Sequence, residues 1–221
     1  MKKYKYLFAN GCSFVVGTGT GTLDVKGNNK FVSMEHRFSK LLSDKIGSTE
    51  INMARGGSSN NRIVRSTYEW AKENHDKCKD TLVVLGTSQF YRDIEEGYGK
   101  WPEFVEQSSE IRRNIIEKLE MKKQTISLEL LIYYLKSHGC DVIYFNSFDN
   151  FNLGCTQFQF DENLSWRDWL IKTQGEPKYI GYRSSKSSPD GWYGMDGLHP
   201  GWKAHSWLSE KIINFLGEQN G

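Results

Sequence analysis

Short apolar runs alternate with amphipathic segments along most of the chain, and this alternation predicts its secondary structure. Four runs predict strands, at residues 4–9, 50–53, 81–85 and 141–145. The run at 81–85 consists only of β-branched residues and leucine, which is typical of a strand covered by helices on both faces. We expect Gly86 to end this strand.

The amphipathic segments between these runs predict helices. We expect one from an N-cap at Ser33 to Gly47, one over 60–75, one over 108–137, and a last one that begins near Pro200. Strands that alternate with helices of this length indicate a parallel sheet with helices on both faces. The predicted fold is therefore a flavodoxin-like three-layer α/β/α sandwich with about five strands.

Residues 146–194 interrupt this alternation. The segment contains ten aromatic residues: Phe148, Phe151, Phe158, Phe160, Trp166, Trp169, Tyr179, Tyr182, Trp192 and Tyr193. It is too long for a plain connection, so we interpret it as an insertion beside a functional site. Within it we expect a short helix near 163–172 and a strand near 178–182.

Composition narrows the class of protein. The 221 residues suit a single domain spanning 1–221 rather than two domains, and an aromatic content of 14% argues against disorder. The net charge of +2 comes from dispersed lysine and arginine, so we expect no nucleic-acid partner.

The apolar runs and the cysteines bear on location. No apolar run approaches the length of a membrane span, and the first residues make a poor signal peptide. The cysteines at 12, 78, 140 and 155 lack metal-binding spacing. We therefore expect a soluble, cytoplasmic protein with free thiols.

Chemically useful residues follow the predicted strands. They occur in four segments: Gly11-Cys12-Ser13-Phe14, Gly56-Gly57, Gly86-Thr87-Ser88-Gln89 and, before the last helix, Asp196-Gly197-Leu198-His199. Ligands of open α/β sheets bind at the carboxyl ends of the strands, so these segments are expected to meet. A serine nucleophile needs a base, and a histidine base needs a carboxylate to orient it. One tight turn at Asp196–His199 could supply both.

The order of these segments resembles the sequence blocks of the SGNH/GDSL hydrolase family. The resemblance implies that Ser13 is the nucleophile and that Asp196 and His199 complete a catalytic triad. It also implies that the backbone N–H groups of Ser13 and Gly57 bind the oxyanion. The resemblance implies neither a metal nor an organic cofactor.

Two positions depart from the family pattern. Cys12 replaces an aspartate, and Ser88 replaces the asparagine whose side-chain amide contributes to the oxyanion hole. Ser88 or Gln89 could take over this donation, and Asn60 or Asn61 are further candidates. Asn60 is also a candidate for contacting substrate.

The tryptophans of the insertion leave two interpretations open. Trp166, Trp169 and Trp192 could stack on sugar rings, or they could form a small core of the insertion itself.

The resemblance implies a serine esterase that hydrolyses small acyl esters through an acyl-enzyme. A small-molecule or carbohydrate ester is the expected partner, with O-acetyl groups on carbohydrate as the candidate substrate, and neither nucleic acid nor membrane is expected. Two alternatives remain open, namely a binding module on the same scaffold and an O-acyltransferase. The sequence does not fix the oligomeric state.

Overall fold

A computed structural model describes residues 2–21, 33–92, 110–153, 157–177, 191–194 and 196–218. Its strands are β1 (Tyr6–Asn10), β2 (Thr49–Asn52), β3 (Thr81–Thr87) and β4 (Asp141–Asn146). They form a parallel sheet in the order β2-β1-β3-β4. The predicted parallel α/β/α fold is confirmed. The described residues contain four of the roughly five strands expected, and the strand predicted near 178–182 lies outside them.

The helices are α1 (Ser13–Val16), α2 (Phe38–Ile46), α3 (Asn60–Glu73), α4 (Glu110–Ser137), α5 (Trp166–Gln174) and α6 (Trp202–Glu218). Short 3-10 turns occupy His75–Asp80 and Asp161–Asn163. No helix in the described ranges combines the length and the apolar character needed to cross a bilayer.

Two buried clusters cover the faces of the sheet. Successive side chains of a strand point to opposite faces, so Leu7 and Ala9 enter one cluster and Phe8 enters the other. The first cluster contains residues of α2, α5 and α6, and the second contains residues of α3 and α4. This two-sided burial explains why residues 82–85 at the centre of β3 are all apolar.

Two boundary predictions were wrong. Strand β3 continues through Gly86, which pairs with Phe145 and is packed so tightly that a Cβ there would lie 2.5 Å from Cγ2 of Val15. Helix α2 has Arg37 as its N-cap, because the backbone of Ser33 is hydrogen-bonded to the Thr20 hydroxyl instead.

Candidate active site

Asparagines fix the ends of three strands at the carboxyl edge of the sheet. Asn10, Asn52 and Asn146 are the last residues of β1, β2 and β4. The Asn10 side chain accepts a hydrogen bond from the N–H of Gly11, and Asn52 donates one to the carbonyl of Val15. The chain segments that follow these strands therefore leave the sheet in fixed directions.

Ser13 is the first residue of α1 and lies three residues beyond β1. Its side chain is largely buried, with 7% exposed. Cys12 precedes it in an extended conformation and is fully buried, so the thiol packs in the core. The strand-to-helix junction therefore holds the Ser13 backbone rigidly.

Asp196 and His199 form a hydrogen-bonded pair within one tight turn. The Asp196 carboxylate is completely buried and accepts hydrogen bonds from the N–H groups of Leu198 and His199, at 3.0 and 3.1 Å. Its other oxygen pairs with Nδ1 of His199. This contact fixes the imidazole tautomer, so Nε2 is left to act as a proton acceptor.

The environment of Asp196 favours its charged form. Burial raises the pKa of this carboxyl, but the hydrogen bond and charge of His199 and the two backbone N–H groups outweigh burial, and the net pKa is lowered. Asp196 is therefore an anion at neutral pH and can stabilise a protonated His199.

Two glycines bring this turn against the segment that carries Ser13. A Cβ on Gly194 would lie 2.5 Å from Cα of Gly19, and a Cβ on Gly19 would lie 3.0 Å from Cβ of His199. The His199 ring lies 5.8 Å from the ring of Phe14, between centroids. His199 is thus next to the segment that carries Ser13, although no hydrogen bond joins the side chains of Ser13 and His199. Catalytic hydrogen bonds often tighten only when substrate binds.

The candidate oxyanion donors differ in accessibility. The backbone N–H groups of Ser13 and Gly57 donate to no acceptor among the described residues, and Gly57 turns with a φ of 74°. The Ser88 side chain is fully buried and its hydroxyl has no partner in the described chain. Gln89 is half-buried, and its Oε1 accepts a hydrogen bond of 3.1 Å from Nε of Arg92. Its Nε2 is left as a donor.

Asn60, which the sequence predicts as a substrate contact, is buried and bound to other residues of the protein. Its side chain is 1% exposed, and its amide donates to the Ser88 carbonyl and to Gln124, at 2.9 Å each. Its Oδ1 accepts from the N–H of Ser88 at 2.7 Å. Both amide protons are therefore used, and Asn60 instead fixes the end of β3.

The tryptophans of the insertion separate into two groups. Trp166 is fully buried and Trp169 stacks on Trp207 at 3.8 Å, so both belong to the core and cannot stack on a sugar. Of the two interpretations left open, packing into a core applies to these two tryptophans. Trp192 is half-buried, with the Lys203 ammonium 5.2 Å from its ring centre, and its role in substrate binding stays a prediction.

His205 is a core residue. Its Nδ1 accepts a hydrogen bond from the N–H of Phe38, and the two rings stack. Burial, together with repulsion by His199 and Arg37, lowers the pKa of His205 to about 3. It is neutral at physiological pH and remote from solvent, so it is no second base.

Sequence reasoning missed Gly19, Gly194, Phe148 and Arg92 as parts of the site. Gly19 lies in a Gly-Thr repeat, which was the one available signal for a close backbone approach. Arg92 and Phe148 are distant in sequence, yet the guanidinium lies 5.2 Å from the ring centre of Phe148, which contacts Phe14 at 4.4 Å.

Comparison with known proteins identifies the fold. No protein-family model and no curated protein matches the chain. The psychrotrophic esterase EstA from Pseudoalteromonas sp. superposes with a TM-score of 0.54 at 12% identity, over 97% of this chain and 98% of that one. Phospholipase A1 from Streptomyces albidoflavus NA297 gives 0.53 at 13% identity, over 96% and 99%.

A carbohydrate esterase is similar over a smaller share of its own length. The acetyl xylan esterase Est2A from the rumen bacterium Butyrivibrio proteoclasticus has a TM-score of 0.55 at 13% identity, and the match covers 100% of this chain but 65% of that one. At these identities the comparisons show the fold alone. The chain has the fold of SGNH/GDSL-type esterases and lipases, as the sequence blocks predicted.

Proposed function

We propose that the protein is a serine esterase that hydrolyses small acyl esters through an acyl-enzyme intermediate. The observation that carries this proposal is the buried, hydrogen-bonded Asp196–His199 turn, held against the Ser13 segment by Gly19 and Gly194. These residues lie at the carboxyl edge of a parallel sheet, where such folds bind their ligands.

In the proposed reaction, Ser13 Oγ attacks the ester carbonyl while Nε2 of His199 takes the hydroxyl proton. His199 then gives this proton to the departing alcohol, which leaves Ser13 acylated. Water enters, loses a proton to His199 and attacks the acyl carbonyl. His199 then returns this proton to Ser13 Oγ as the acyl–oxygen bond breaks, which frees the carboxylic acid and restores Ser13. Asp196 stabilises the imidazolium in both halves of the cycle.

The backbone N–H groups of Ser13 and Gly57 and the side-chain amide of Gln89 would bind the oxyanion. Ser88 is the weaker candidate for the third donor, because its hydroxyl is buried away from solvent. Gln89 reaches further and has an uncommitted amide N–H₂, since Arg92 contacts only its oxygen.

Hydrogen bonds on both sides of Gln89 hold its backbone in place. Asn60 binds both the N–H and the carbonyl of Ser88. On the other side, the N–H of Phe90 donates to Asp149, and its carbonyl accepts from Gln124. A donor held in advance where negative charge develops pays no reorganisation during the reaction, which is how oxyanion holes accelerate acyl transfer.

Carbohydrate O-acetyl groups remain the candidate substrate within this proposal. This choice of substrate is supported by the fold shared with carbohydrate esterases, one of which was solved in complex with cellohexaose. Acetylated xylan oligosaccharides should therefore be compared with simple acetate esters, with acetate release as the measurement.

Labelling by a fluorophosphonate probe tests the function. The wild-type protein should be labelled and Ser13→Ala should not, whereas Ser147→Ala, which removes another buried serine, should label normally. A folded wild-type protein that is never labelled would refute the esterase and favour a binding module. Ester turnover with added alcohols distinguishes the remaining alternative, because an O-acyltransferase would form a new ester instead of free acid.

A further inference from the structure

Arginines surround the turn that contains Gly57. They are Arg55, Arg62 and Arg92, and Arg65 lies further along α3, where its charge acts on Arg62. Two of them bind the residue that follows Gly57: Nη1 of Arg62 donates to the Ser58 hydroxyl at 3.0 Å, and Nη1 of Arg92 donates to the Ser58 carbonyl at 3.4 Å. Arg55 belongs to the turn itself, and its carbonyl accepts from the N–H of Ser58.

The arginines of this cluster have no carboxylate partner within 4.0 Å in the described chain. The fold does form such pairs elsewhere, as between Arg37 and Glu50 at 2.6 Å. Burial and the charges of Arg55 and Arg65 lower the pKa of Arg62, so the guanidinium groups repel one another. The chain has a net charge of only +2, so this local excess is not a consequence of overall composition.

Among the described acids, Asp149 is influenced by the charge of Arg92 but is a poor counter-ion for this cluster. Asp149 forms no ion pair with Arg92, and burial raises the pKa of this carboxyl. Asp149 is also occupied by the N–H of Phe90. The positive charge beside Gly57 therefore remains uncompensated by described residues.

The cluster borders the proposed reaction centre. Gly57 supplies a proposed oxyanion donor next to Ser58, which two of the arginines bind. The Arg92 guanidinium also lies against Phe148, whose ring contacts Phe14, the neighbour of Ser13. An ester held with its carbonyl oxygen at Gly57 would extend its acyl or alcohol part beside these arginines.

Arg62 and Arg92 each keep N–H donors that could bind a ligand. A guanidinium has five N–H donors, and Arg62 uses only Nη1 in contacts with described residues. Arg92 uses Nε and Nη1, which leaves Nη2. Guanidinium groups bind carboxylate, phosphate and sulfate through paired N–H donors, and a positive cleft attracts such ligands from solution.

We propose that the ester substrate is anionic and that Arg55, Arg62 and Arg92 bind a carboxylate, phosphate or sulfate group in its acyl or alcohol part. This inference rests on the proposed esterase function, and it adds the charge of the substrate.

Matched pairs of esters test the inference. Nitrophenyl hemisuccinate and nitrophenyl butyrate compare a charged with a neutral acyl part. Acetoxybenzoate and acetoxybenzamide compare a charged with a neutral alcohol part. We expect kcat/KM to be about 10-fold or more higher for the anion of at least one pair, and this preference should fall as salt is raised.

Arginine variants connect the preference to the cluster. Arg55→Gln and Arg62→Gln should each lower the ratio of kcat/KM for the preferred anion to kcat/KM for its neutral counterpart by about 10-fold. Arg167→Gln removes a half-exposed arginine in α5 and should leave kcat/KM unchanged for both the charged and the neutral ester. Loss of turnover of charged and neutral esters alike would mean that the arginines serve only the fold.

Equal kcat/KM within both pairs, in a protein whose Ser13 is labelled by fluorophosphonate, would overturn the inference and leave the esterase intact. Absence of labelling would instead refute the esterase. Calorimetric binding of the same esters to Ser13→Ala then tests the anion site without turnover. Binding of an anion that weakens in Arg62→Gln supports the site, and equal binding of charged and neutral esters overturns it.

Discussion

Gln89 and Arg92 allow the sharpest test of the oxyanion hole. Gln89→Ala removes the proposed side-chain donor, and Arg92→Met removes the group that holds the Gln89 amide while keeping a long side chain against Phe148. We expect both variants to slow acylation of Ser13 by a neutral ester, and we expect their effects to overlap.

The magnitudes follow from what each side chain does. Loss of one oxyanion donor costs about 2.7–4 kcal/mol, so Gln89→Ala should lower kcat by about 10²–10³-fold. Arg92→Met leaves the donor present but mobile. Ordering one flexible side chain costs about 0.5–1.5 kcal/mol, so kcat of this variant should fall by roughly 2–10-fold.

The double variant Gln89→Ala/Arg92→Met measures how far the effects of Gln89 and Arg92 on kcat depend on each other. Once the amide is gone, Arg92 keeps only its long contact of 3.4 Å to the Ser58 carbonyl, so the double variant should be scarcely slower than Gln89→Ala alone. Nitrophenyl acetate is the suitable substrate, because it is neutral and keeps any binding of anions out of the measurement. Ser88→Ala is the matched control and should stay within about 2-fold, since its buried hydroxyl has no partner among the described residues.

Two results would refute this reasoning. Additive losses in the double variant would mean that Arg92 acts independently of Gln89. A large loss in Ser88→Ala with none in Gln89→Ala would assign the third donor to Ser88.

Three further predictions concern the framework of the site. Gly19→Ala places a methyl group 3.0 Å from Cβ of His199 at a φ of 92°, so kcat should fall by about 10–100-fold, whereas Gly217→Ala, in open space, should leave it unchanged. Asn60→Ala strands the N–H and carbonyl of Ser88, so urea unfolding should show a loss of about 2–5 kcal/mol. The pKa of His205 is 6.5 when unfolded and about 3 when folded, so its contribution to stability is complete above pH 6.5 and is lost as pH falls towards 3. His205→Gln should flatten the free energy of unfolding over that range, and an unchanged slope would contradict the assignment.

The sequence predicted the parts of the molecule that depend on local pattern. Apolar runs and helical periodicity placed the strands and helices, and the three-residue separation of Asp196 and His199 already implied that one turn could pair them. These features can be predicted without knowing which residues meet in the tertiary structure. The errors at Gly86 and Ser33 arose where a tertiary contact, with Val15 or Thr20, overrode a local signal.

The sequence could not decide which polar side chains are free to act. From the sequence alone, Asn60 and Gln89 are equally plausible amide donors to the oxyanion. In the structure, the Asn60 amide donates to Ser88 and Gln124, whereas the N–H₂ group of Gln89 has no acceptor among the described residues. The same holds for Trp166, which looks like a sugar platform in the sequence and lies in the core. The partners that occupy Asn60 lie 28 and 64 residues away in the sequence, and periodicity does not reveal such contacts.

The most direct test of the proposed esterase site is a crystal structure of the protein after reaction with a phosphonate ester. The proposed mechanism requires phosphorus bonded to Oγ of Ser13, with the phosphonyl oxygen about 2.7–3.1 Å from the backbone nitrogens of Ser13 and Gly57 and from Nε2 of Gln89. His199 should remain paired with Asp196. An adduct on another residue, or an oxygen that points away from Gly57, would contradict it.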